Sequence, residues 1–224
     1  MIELLMFDAD GVLFESYESN IAYYNAIFAQ VGEPSLDQDE EILSISYAAA
    51  DVFALRARDD AALLSRMKEV ARNLDQEPFF RLLRPPFELR PFMLALKRNY
   101  RLGLATNRSA TVPGLVQHLK LDDIFDAIAS ALDKVPPKPA PDILNLCLER
   151  ARVRARNAIY IGDSPIDREA AQAAGVHFIA VGPRVEHDQR ITGLGELAGA
   201  LERIALAVAE AAASGARQAT GSSR

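Results

Sequence analysis

Five short apolar segments recur along this chain of 224 residues, and most of them lead through a polar loop into a helical pattern. The predicted strands are residues 2–7, 101–105, 127–131, 158–161 and 177–181, with predicted helices at 111–119, 141–152 and 165–174. Such alternation is typical of an α/β fold, a doubly wound parallel sheet covered by helices on both faces. Ligands of these folds bind beyond the carboxyl ends of the strands.

Residues 17–86 interrupt the alternation. Apolar side chains recur there at three- and four-residue steps, as in Ile21, Tyr24 and Ile27, and no strand pattern is present. We therefore predict a core domain of 1–16 and 87–213 and a helical cap domain of 17–86 standing over the ligand site. The small, polar residues 214–224 are predicted to be a flexible tail.

Charge and composition disfavour several classes of partner and location. The formal net charge of −6 disfavours nucleic acid or an anionic membrane as the main partner, and no apolar segment is long enough to span a bilayer. The single cysteine, Cys147, cannot form an internal disulfide, and the first residues lack the pattern of a signal peptide. We expect a cytoplasmic location, and the sequence carries no signal for an oligomeric state.

Two carboxylates follow the first predicted strand. Asp8 and Asp10 precede Gly11, and their side chains should face the same way because extended backbone alternates with a period of two. Two like charges this close require that one carboxyl keeps its proton or that a cation lies between them. Ordinary turn or capping residues are the alternative interpretation.

Later loops also carry polar groups. Thr106 and Asn107 follow the second strand, where a hydroxyl and the amides of the next helix can bind an anion or simply cap that helix. Lys138 lies between prolines that keep it out of a helix, so its ammonium group is either aimed at one point or solvated.

The fourth strand ends in Gly-Asp-Ser at residues 162–164. Asp163 and Ser164 are followed by Asp167 in the first turn of a predicted helix. These side chains are either helix-capping groups or a second acidic cluster beside the first.

Together these loops resemble the haloacid dehalogenase superfamily, in its helical-cap group that includes phosphoglycolate phosphatases and beta-phosphoglucomutases. The matching pattern is D-x-D-G at residues 8–11, Thr106, Lys138 in K-P-x-P, and G-D-S-x-x-D at residues 162–167. Val12 and Glu15 depart from the residues common at their positions. The resemblance implies a Rossmann-like core with the first strand between the second and the fourth.

The resemblance also implies roles for these residues. Asp8 would be the nucleophile that becomes an aspartyl phosphate, and Asp10 the general acid and base. Mg²⁺ would be held by Asp8, the carbonyl of Asp10 and Asp163. The implied function is a magnesium-dependent phosphatase acting on a small phosphate monoester, of the phosphoglycolate or sugar phosphate class.

The remaining site residues are given supporting roles. Thr106 and Asn107 would bind phosphate oxygens, and Lys138 would offset negative charge on Asp8 and the phosphoryl group. Asp167 would act through water or through other ligands, with Gly11 and Ser164 as supporting residues.

Other functions remain open at this stage. A phosphosugar mutase of the beta-phosphoglucomutase type uses the same loops, and a phospho-accepting signalling domain or a degenerate binding protein is less favoured. A dehalogenase lacks the second acid, so Asp10 argues against it.

Specificity is expected to reside in the cap. Tyr17, Asn20 and Tyr23 are candidates for contact with the leaving group. Arg56, Arg58 and Arg66 are candidates for a second anionic group of the substrate, although a solvated helix face is the more favoured interpretation.

Overall fold

A six-stranded, fully parallel sheet forms the centre of the computed structural model. The structure describes residues 1–206, except for the side chain of Ser46. The strands are β1 (Leu4–Phe7), β2 (Arg101–Thr106), β3 (Ala127–Ser130), β4 (Ala158–Gly162), β5 (His177–Val181) and β6 (Arg190–Ile191). The predicted α/β fold is confirmed, and the five predicted strands lie within two residues of β1–β5 at each end. Strand β6 was missed because two residues show no pattern.

Strand β1 lies in the middle of the order β3-β2-β1-β4-β5-β6. Phe7 at its end is in register with Leu104 of β2 and with Ile161 of β4. The carboxyl ends of these three strands therefore lie side by side, as the resemblance implied, and the loops that follow them converge.

Ten helices accompany the sheet within the described residues. They are α1 (Tyr17–Val31), α2 (Gln38–Ser46), α3 (Ala49–Ala57), α4 (Ala61–Asn73), α5 (Glu77–Phe80), α6 (Leu89–Lys97), α7 (Val112–His118), α8 (Asp142–Ala151), α9 (Pro165–Ala174) and α10 (197–206). Helices α7, α8 and α9 confirm the three that were predicted between strands. The predicted tail, 214–224, lies outside the described residues.

Helices cover both faces of the sheet, which explains the continuous apolar runs of the strands. Leu5 and Phe7 pack into one apolar cluster, whereas Leu4 and Met6 pack into another on the opposite face. All four side chains are fully buried. The period of two thus divides one strand between two layers of core.

Helices α1–α5 lie between β1 and β2, so the predicted helical insertion is confirmed. Helices α1, α3 and α4 share an apolar cluster of their own, which includes Phe28, Phe53 and Met67. The chain enters and leaves this insertion through two paired segments, because the amides of Glu15 and Arg84 each donate to the other's carbonyl at 3.0 Å. The domain boundaries at residues 16 and 86 stay predictions.

Among the described residues, no helix is long and apolar enough to cross a membrane.

Candidate active site

Eight of the nine predicted site residues are buried polar side chains gathered at the carboxyl end of the sheet. They are Asp8, Asp10, Thr106, Asn107, Lys138, Asp163, Ser164 and Asp167. Five of these residues are on loops after β1, β2 and β4, while Thr106 ends β2, Lys138 precedes α8 and Asp167 is in α9. Asp8, Asp10, Thr106 and Asn107 line a cavity of about 60 Å³ beneath the insertion, which we call the inner cavity.

Lys138 is the centre of the charged contacts. Its Nζ lies 2.9 Å from Asp8 Oδ1 and 2.7 Å from Asp167 Oδ1. Burial disfavours the ammonium form, but the charges of Asp167 and Asp8 outweigh this effect and raise the pKa of Lys138 above its usual range. The lysine is therefore charged, and it is 2% exposed. The solvated-lysine alternative is excluded.

Asn107 anchors the loop that carries this lysine. Its side-chain Oδ1 accepts a hydrogen bond of 2.8 Å from the backbone amide of Lys138, and its Nδ2 donates to the carbonyl of Lys138 at 3.1 Å. The loop after β2 and the loop before α8 are therefore held together at the point where the ammonium group enters the site.

Tyr160 is a buried member of the site that the sequence analysis missed. Its hydroxyl accepts a hydrogen bond from Lys138 Nζ at 2.7 Å, and two acceptors lie within reach of its own proton, the carbonyl of Ala105 at 2.9 Å and Asp167 Oδ1 at 3.0 Å. The residue lies within the apolar run of β4, so it was interpreted as core. A signal was present, because the hydroxyl of a buried tyrosine requires a hydrogen-bond partner.

Asp167 ties the lysine to the loop after β4. Its Oδ2 accepts from the amide of Ser164 at 3.0 Å, from the Ser164 hydroxyl at 2.5 Å and from the amide of Asp163 at 3.2 Å. Ser164 in turn caps α9 by accepting from the amide of Asp167. The capping interpretation and the acidic-cluster interpretation therefore both hold for these residues.

An acidic trio in the site is suited to a divalent cation. Oxygen atoms of Asp8, Asp163 and Asp167 lie within 4.8 Å of one another. Asp8 Oδ1 is buried and accepts no hydrogen bond of good geometry, although Lys138 Nζ is close enough for an ion pair. Burial raises the pKa of Asp8 to about 7, with Lys138 opposing the rise and Asp167 and Asp10 adding to it.

These donors fit Mg²⁺, which prefers carboxylate and carbonyl oxygens. Asp8 and Asp163 are the residues that would hold the ion. Gly11 is required beside these ligands. Its φ of +71° is in the left-handed region, and the Cβ of any other residue would lie 1.9 Å from Asp163 Oδ2. Arg184, from the loop after β5, contacts Asp163 Oδ2 and was not recognised in the sequence.

Asp10 has a different cationic partner from Asp8. Arg108 Nε donates to Asp10 Oδ2 at 2.7 Å, and Arg108 Nη2 donates to Asp10 Oδ1 at 2.6 Å. Burial opposes ionisation of Asp10, but the Arg108 guanidinium outweighs it and holds the pKa of this carboxyl below its usual range. The repulsion expected between Asp8 and Asp10 is thus relieved by two separate cations.

Arg108 also connects the core to the insertion. Its Nη2 donates to Asn20 Oδ1 at 3.1 Å, and Asn20 and Tyr23 of α1 line the inner cavity as expected. Tyr17 does not line the cavity, since it is 43% exposed and its hydroxyl donates to Glu41.

The three arginines proposed for a second anion are not in the inner cavity. Arg56 stabilises the insertion instead: its Nε donates to Glu40 Oε1 at 2.7 Å, and its guanidinium lies 4.1 Å from the centre of the Phe28 ring. Arg58 and Arg66 are exposed. The solvated-face interpretation holds for the latter two residues.

Fold and site together define an α/β protein with a helical insertion over a carboxylate-rich pocket. Residues 5–181 match the family model described as haloacid dehalogenase-like hydrolase, and the chain belongs to that family. The chain is therefore an enzyme, and the predicted superfamily is confirmed.

Relatives and solved structures agree with this assignment. The chain is 27% identical over 204 residues to a phosphoglycolate phosphatase of Aliivibrio fischeri, covering 85% of this chain and 88% of that protein. It is 25% identical over 190 residues to the fructose-1-phosphate phosphatase YqaB of Escherichia coli, covering 79% and 95%. CbbY from Rhodobacter sphaeroides, crystallised with phosphate, superposes with a TM-score of 0.73 at 29% identity, covering 88% of this chain and 96% of that chain.

Proposed function

We propose that this hydrolase is a Mg²⁺-dependent phosphatase that cleaves a small phosphate monoester through an aspartyl-phosphate intermediate. The observation that carries the proposal is the contact of Lys138 Nζ with Asp8 Oδ1 at 2.9 Å, beside the carboxylates of Asp163 and Asp167. A buried carboxylate next to a fixed ammonium group and an acidic cluster is suited to phosphoryl transfer. That reaction depends on positioning and charge neutralisation.

Asp8 is the proposed nucleophile. One carboxylate oxygen forms a bond to phosphorus while the bond from phosphorus to the leaving oxygen breaks. Lys138 stays charged throughout, and its ammonium group offsets the negative charge that collects on Asp8 and the phosphoryl oxygens. Thr106 and Asn107 would donate to those oxygens from the end of β2.

Asp10 is the proposed general acid and base. In its protonated form it gives a proton to the leaving oxygen, and in its ionised form it removes a proton from the water that attacks the aspartyl phosphate. Arg108 favours the ionised form in the free enzyme. Donation therefore requires that substrate binding weakens the contact between Arg108 and Asp10.

Mg²⁺, when bound, would supply positive charge that screens Asp8 from the incoming phosphoryl group and lowers the charge on that group. Asp8 and Asp163 are the proposed side-chain ligands, with the carbonyl of Asp10. Asp167 orients this set, because it binds both Lys138 and the amide of Asp163.

The class of substrate is proposed from the size of the site and from the relatives. The inner cavity has a volume of about 60 Å³ and lies under the insertion, which leaves no room for a polymer. The named relatives include phosphatases for phosphoglycolate and for fructose 1-phosphate. A small phosphate monoester of these two classes is accordingly the proposed substrate.

A screen of phosphate esters, with Mg²⁺ and with a chelator, tests the proposal. We expect release of inorganic phosphate from several small esters with Mg²⁺ and a loss of at least 100-fold with the chelator. The Asp8→Asn variant serves as the matched control, because an amide cannot accept the phosphoryl group. Equal rates with and without Mg²⁺ would refute the proposed metal dependence.

A phosphosugar mutase is the alternative that the same residues allow. The measurement that separates the two reactions is the ratio of inorganic phosphate released to substrate consumed. We expect one phosphate for each ester consumed. A ratio near zero, with an isomeric phosphate ester as product, would favour the mutase.

A further inference from the structure

A second and larger cavity adjoins the catalytic pocket. It has a volume of about 330 Å³ and lies between helices α3 and α4 of the insertion and residues 109–111 of the core. We call it the outer cavity.

The two cavities are neighbours at the boundary between the insertion and the core. Tyr23, Ala49, Ser109 and Thr111 line both of them. A water molecule needs ~10–15 Å³ by this measure of volume, so the inner cavity holds on the order of four waters. That space suits a phosphoryl group, and the outer cavity offers room beyond Tyr23 for a leaving group of several carbons.

The outer cavity combines an apolar wall with positive charge. Phe53, which is 3% exposed, forms part of the wall, together with Ala49 and Ala71. Lys68 and Arg72 are the only charged residues that residues 1–206 contribute to its lining, and they lie four residues apart on α4. Like Arg58 and Arg66, both residues are exposed, but they differ from those two in lining this cavity, and Arg72 Nε donates to the carbonyl of Lys68 at 3.2 Å.

These two cations have no carboxylate partner among residues 1–206, in contrast to Arg56, Arg81 and Arg84 of the same insertion, which are each paired with a glutamate. Arg58 and Arg66 are also unpaired among these residues, but neither lines the outer cavity. Two unpaired cations facing one cavity concentrate anions there, although the whole chain carries a net charge of −6. An anionic group of a ligand would complete the missing ion pairs.

We propose that the outer cavity is a second binding site for the substrate, in which Lys68 and Arg72 bind an anionic group at the far end of the leaving group. The substrate is then a phosphate ester with a second carboxylate or phosphate, separated from the reacting phosphoryl group by a short carbon chain that packs against Phe53. This inference rests on the proposed phosphatase function and assigns its specificity to residues outside the catalytic loops.

Binding measurements on an inactive enzyme test the inference without requiring turnover. The protein is full-length Asp8→Asn with Mg²⁺, and the probes are fructose 1,6-bisphosphate and fructose 1-phosphate, measured by titration calorimetry. These esters share one reacting phosphate and differ in a second anion. We expect the bisphosphate to bind at least about tenfold more tightly, which is the range of one charge-assisted contact.

Charge-neutralising variants then locate the contact. Adding Lys68→Gln and Arg72→Gln together should remove the preference for the bisphosphate and change binding of the monophosphate less than twofold. Arg66→Gln is the matched control, since Arg66 is on the same helix but does not line the outer cavity. The same comparison with 3-phosphoglycerate and glycerol 3-phosphate tests a carboxylate as the second anion.

Two outcomes would overturn the inference. One is that neither fructose 1,6-bisphosphate nor 3-phosphoglycerate binds more tightly than the ester that lacks the second anionic group, and the other is that the double variant leaves the preference unchanged. Failure of the proposed function is detected separately, by the absence of Mg²⁺-dependent hydrolysis of p-nitrophenyl phosphate by the unmodified enzyme.

Discussion

Arg108 and Asp10 form a two-point ion pair, with the guanidinium Nε and Nη2 at 2.7 and 2.6 Å from the two carboxylate oxygens. Both side chains are close to fully buried, at 13% and 12% exposed. A pair of this geometry is stronger than a single contact between charged groups, and it keeps Asp10 ionised in the free enzyme. The proposed general acid is therefore held in its inactive protonation state until a ligand enters.

Replacing Arg108 should change the pH dependence of catalysis. In Arg108→Gln the pKa of Asp10 rises, because burial is no longer outweighed by a guanidinium. The descending limb of kcat/KM against pH, which reports the acid of the free enzyme, should move to higher pH. The measurement is a pH profile on an alkyl phosphate, whose poor leaving group needs the acid. An unmoved limb would show that Arg108 does not control Asp10.

Asp10→Asn should discriminate between leaving groups. An asparagine cannot donate the proton that an alkoxide leaving group needs, whereas p-nitrophenolate leaves without one. We expect kcat/KM to fall about 10²–10⁴-fold for glycerol 3-phosphate, the range of general acid catalysis. The fall for p-nitrophenyl phosphate should be much smaller in the first, phosphoryl-accepting step, measured as a burst of nitrophenol. Equal losses for both esters would contradict the assignment of Asp10.

Asp8→Asn should abolish turnover and yet stabilise the metal-free protein at pH 8. The folded-state pKa of Asp8 is about 7, above the ordinary value of 3.8. Ionised Asp8 therefore destabilises the fold, and stability falls as pH rises from 3.8 towards 7. The shift of about three pKa units corresponds to a loss of at most about 4 kcal/mol of folding free energy when Asp8 is ionised. The variant would regain this amount, less the contribution of the contact with Lys138 that it also loses.

We expect Asp8→Asn to gain about 1–3 kcal/mol at pH 8 with a chelator present, or ~2–4 °C in Tm for each kcal/mol, and little at pH 4. Asp10→Asn is the matched control of opposite sign. The pKa of Asp10 is lowered in the fold, so its ionised form stabilises the protein at pH 8 and its loss leaves Arg108 buried without a partner. A lower Tm for Asp8→Asn than for the unmodified protein at pH 8 would contradict this reasoning.

Tyr160→Phe should slow catalysis by loosening Lys138. Asp167 and the Tyr160 hydroxyl each receive one N–H of the ammonium group, which leaves the third N–H for Asp8 and the phosphoryl oxygens. Loss of the hydroxyl leaves one buried donor unsatisfied, at a cost of about 1–2 kcal/mol. We expect kcat to fall about 5–30-fold with KM nearly unchanged.

A double-mutant cycle distinguishes positioning of the lysine from general damage to the fold. If Tyr160 acts through Lys138, adding Tyr160→Phe to Lys138→Met should cause little further loss of kcat. Tyr100→Phe is the control, because Tyr100 precedes β2 at the opposite end of the sheet. Full additivity of the Tyr160 and Lys138 effects would exclude the positioning role.

Asp163 and Arg184 should have opposite effects on Mg²⁺ binding. Asp163→Asn removes a proposed ligand charge and should weaken the affinity at least about tenfold. Arg184→Gln removes the cation that contacts Asp163 Oδ2 in the metal-free protein and should strengthen the affinity. Titration calorimetry with Mg²⁺ measures both, and the rise in Tm on adding Mg²⁺ should follow the same order. Unchanged affinity in Asp163→Asn would exclude it as a ligand.

Local sequence patterns were sufficient to predict the strands, the helices that connect them and the acidic loops. A buried parallel strand is a continuous apolar run, and Asp8 and Asp163 each follow a run of that kind, whereas Lys138 is marked by the prolines on either side of it. Strand β6 could not be predicted because its two residues owe their pairing to β5 and to no pattern of their own.

The sequence by itself determined the order of strands and helices, the helical insertion and the residues at the strand ends, because these depend on periodicity and on neighbouring residues. Tertiary structure alone decided the partners of those residues. Arg108 and Asp10 are in contact although 98 positions separate them in the chain, and Tyr160 and Lys138 are in contact although 22 positions separate them. It also decided that Arg56 stabilises the insertion while Lys68 and Arg72 line a cavity. The direction of a long charged side chain is set by the elements that pack around it, and these are distant in the chain.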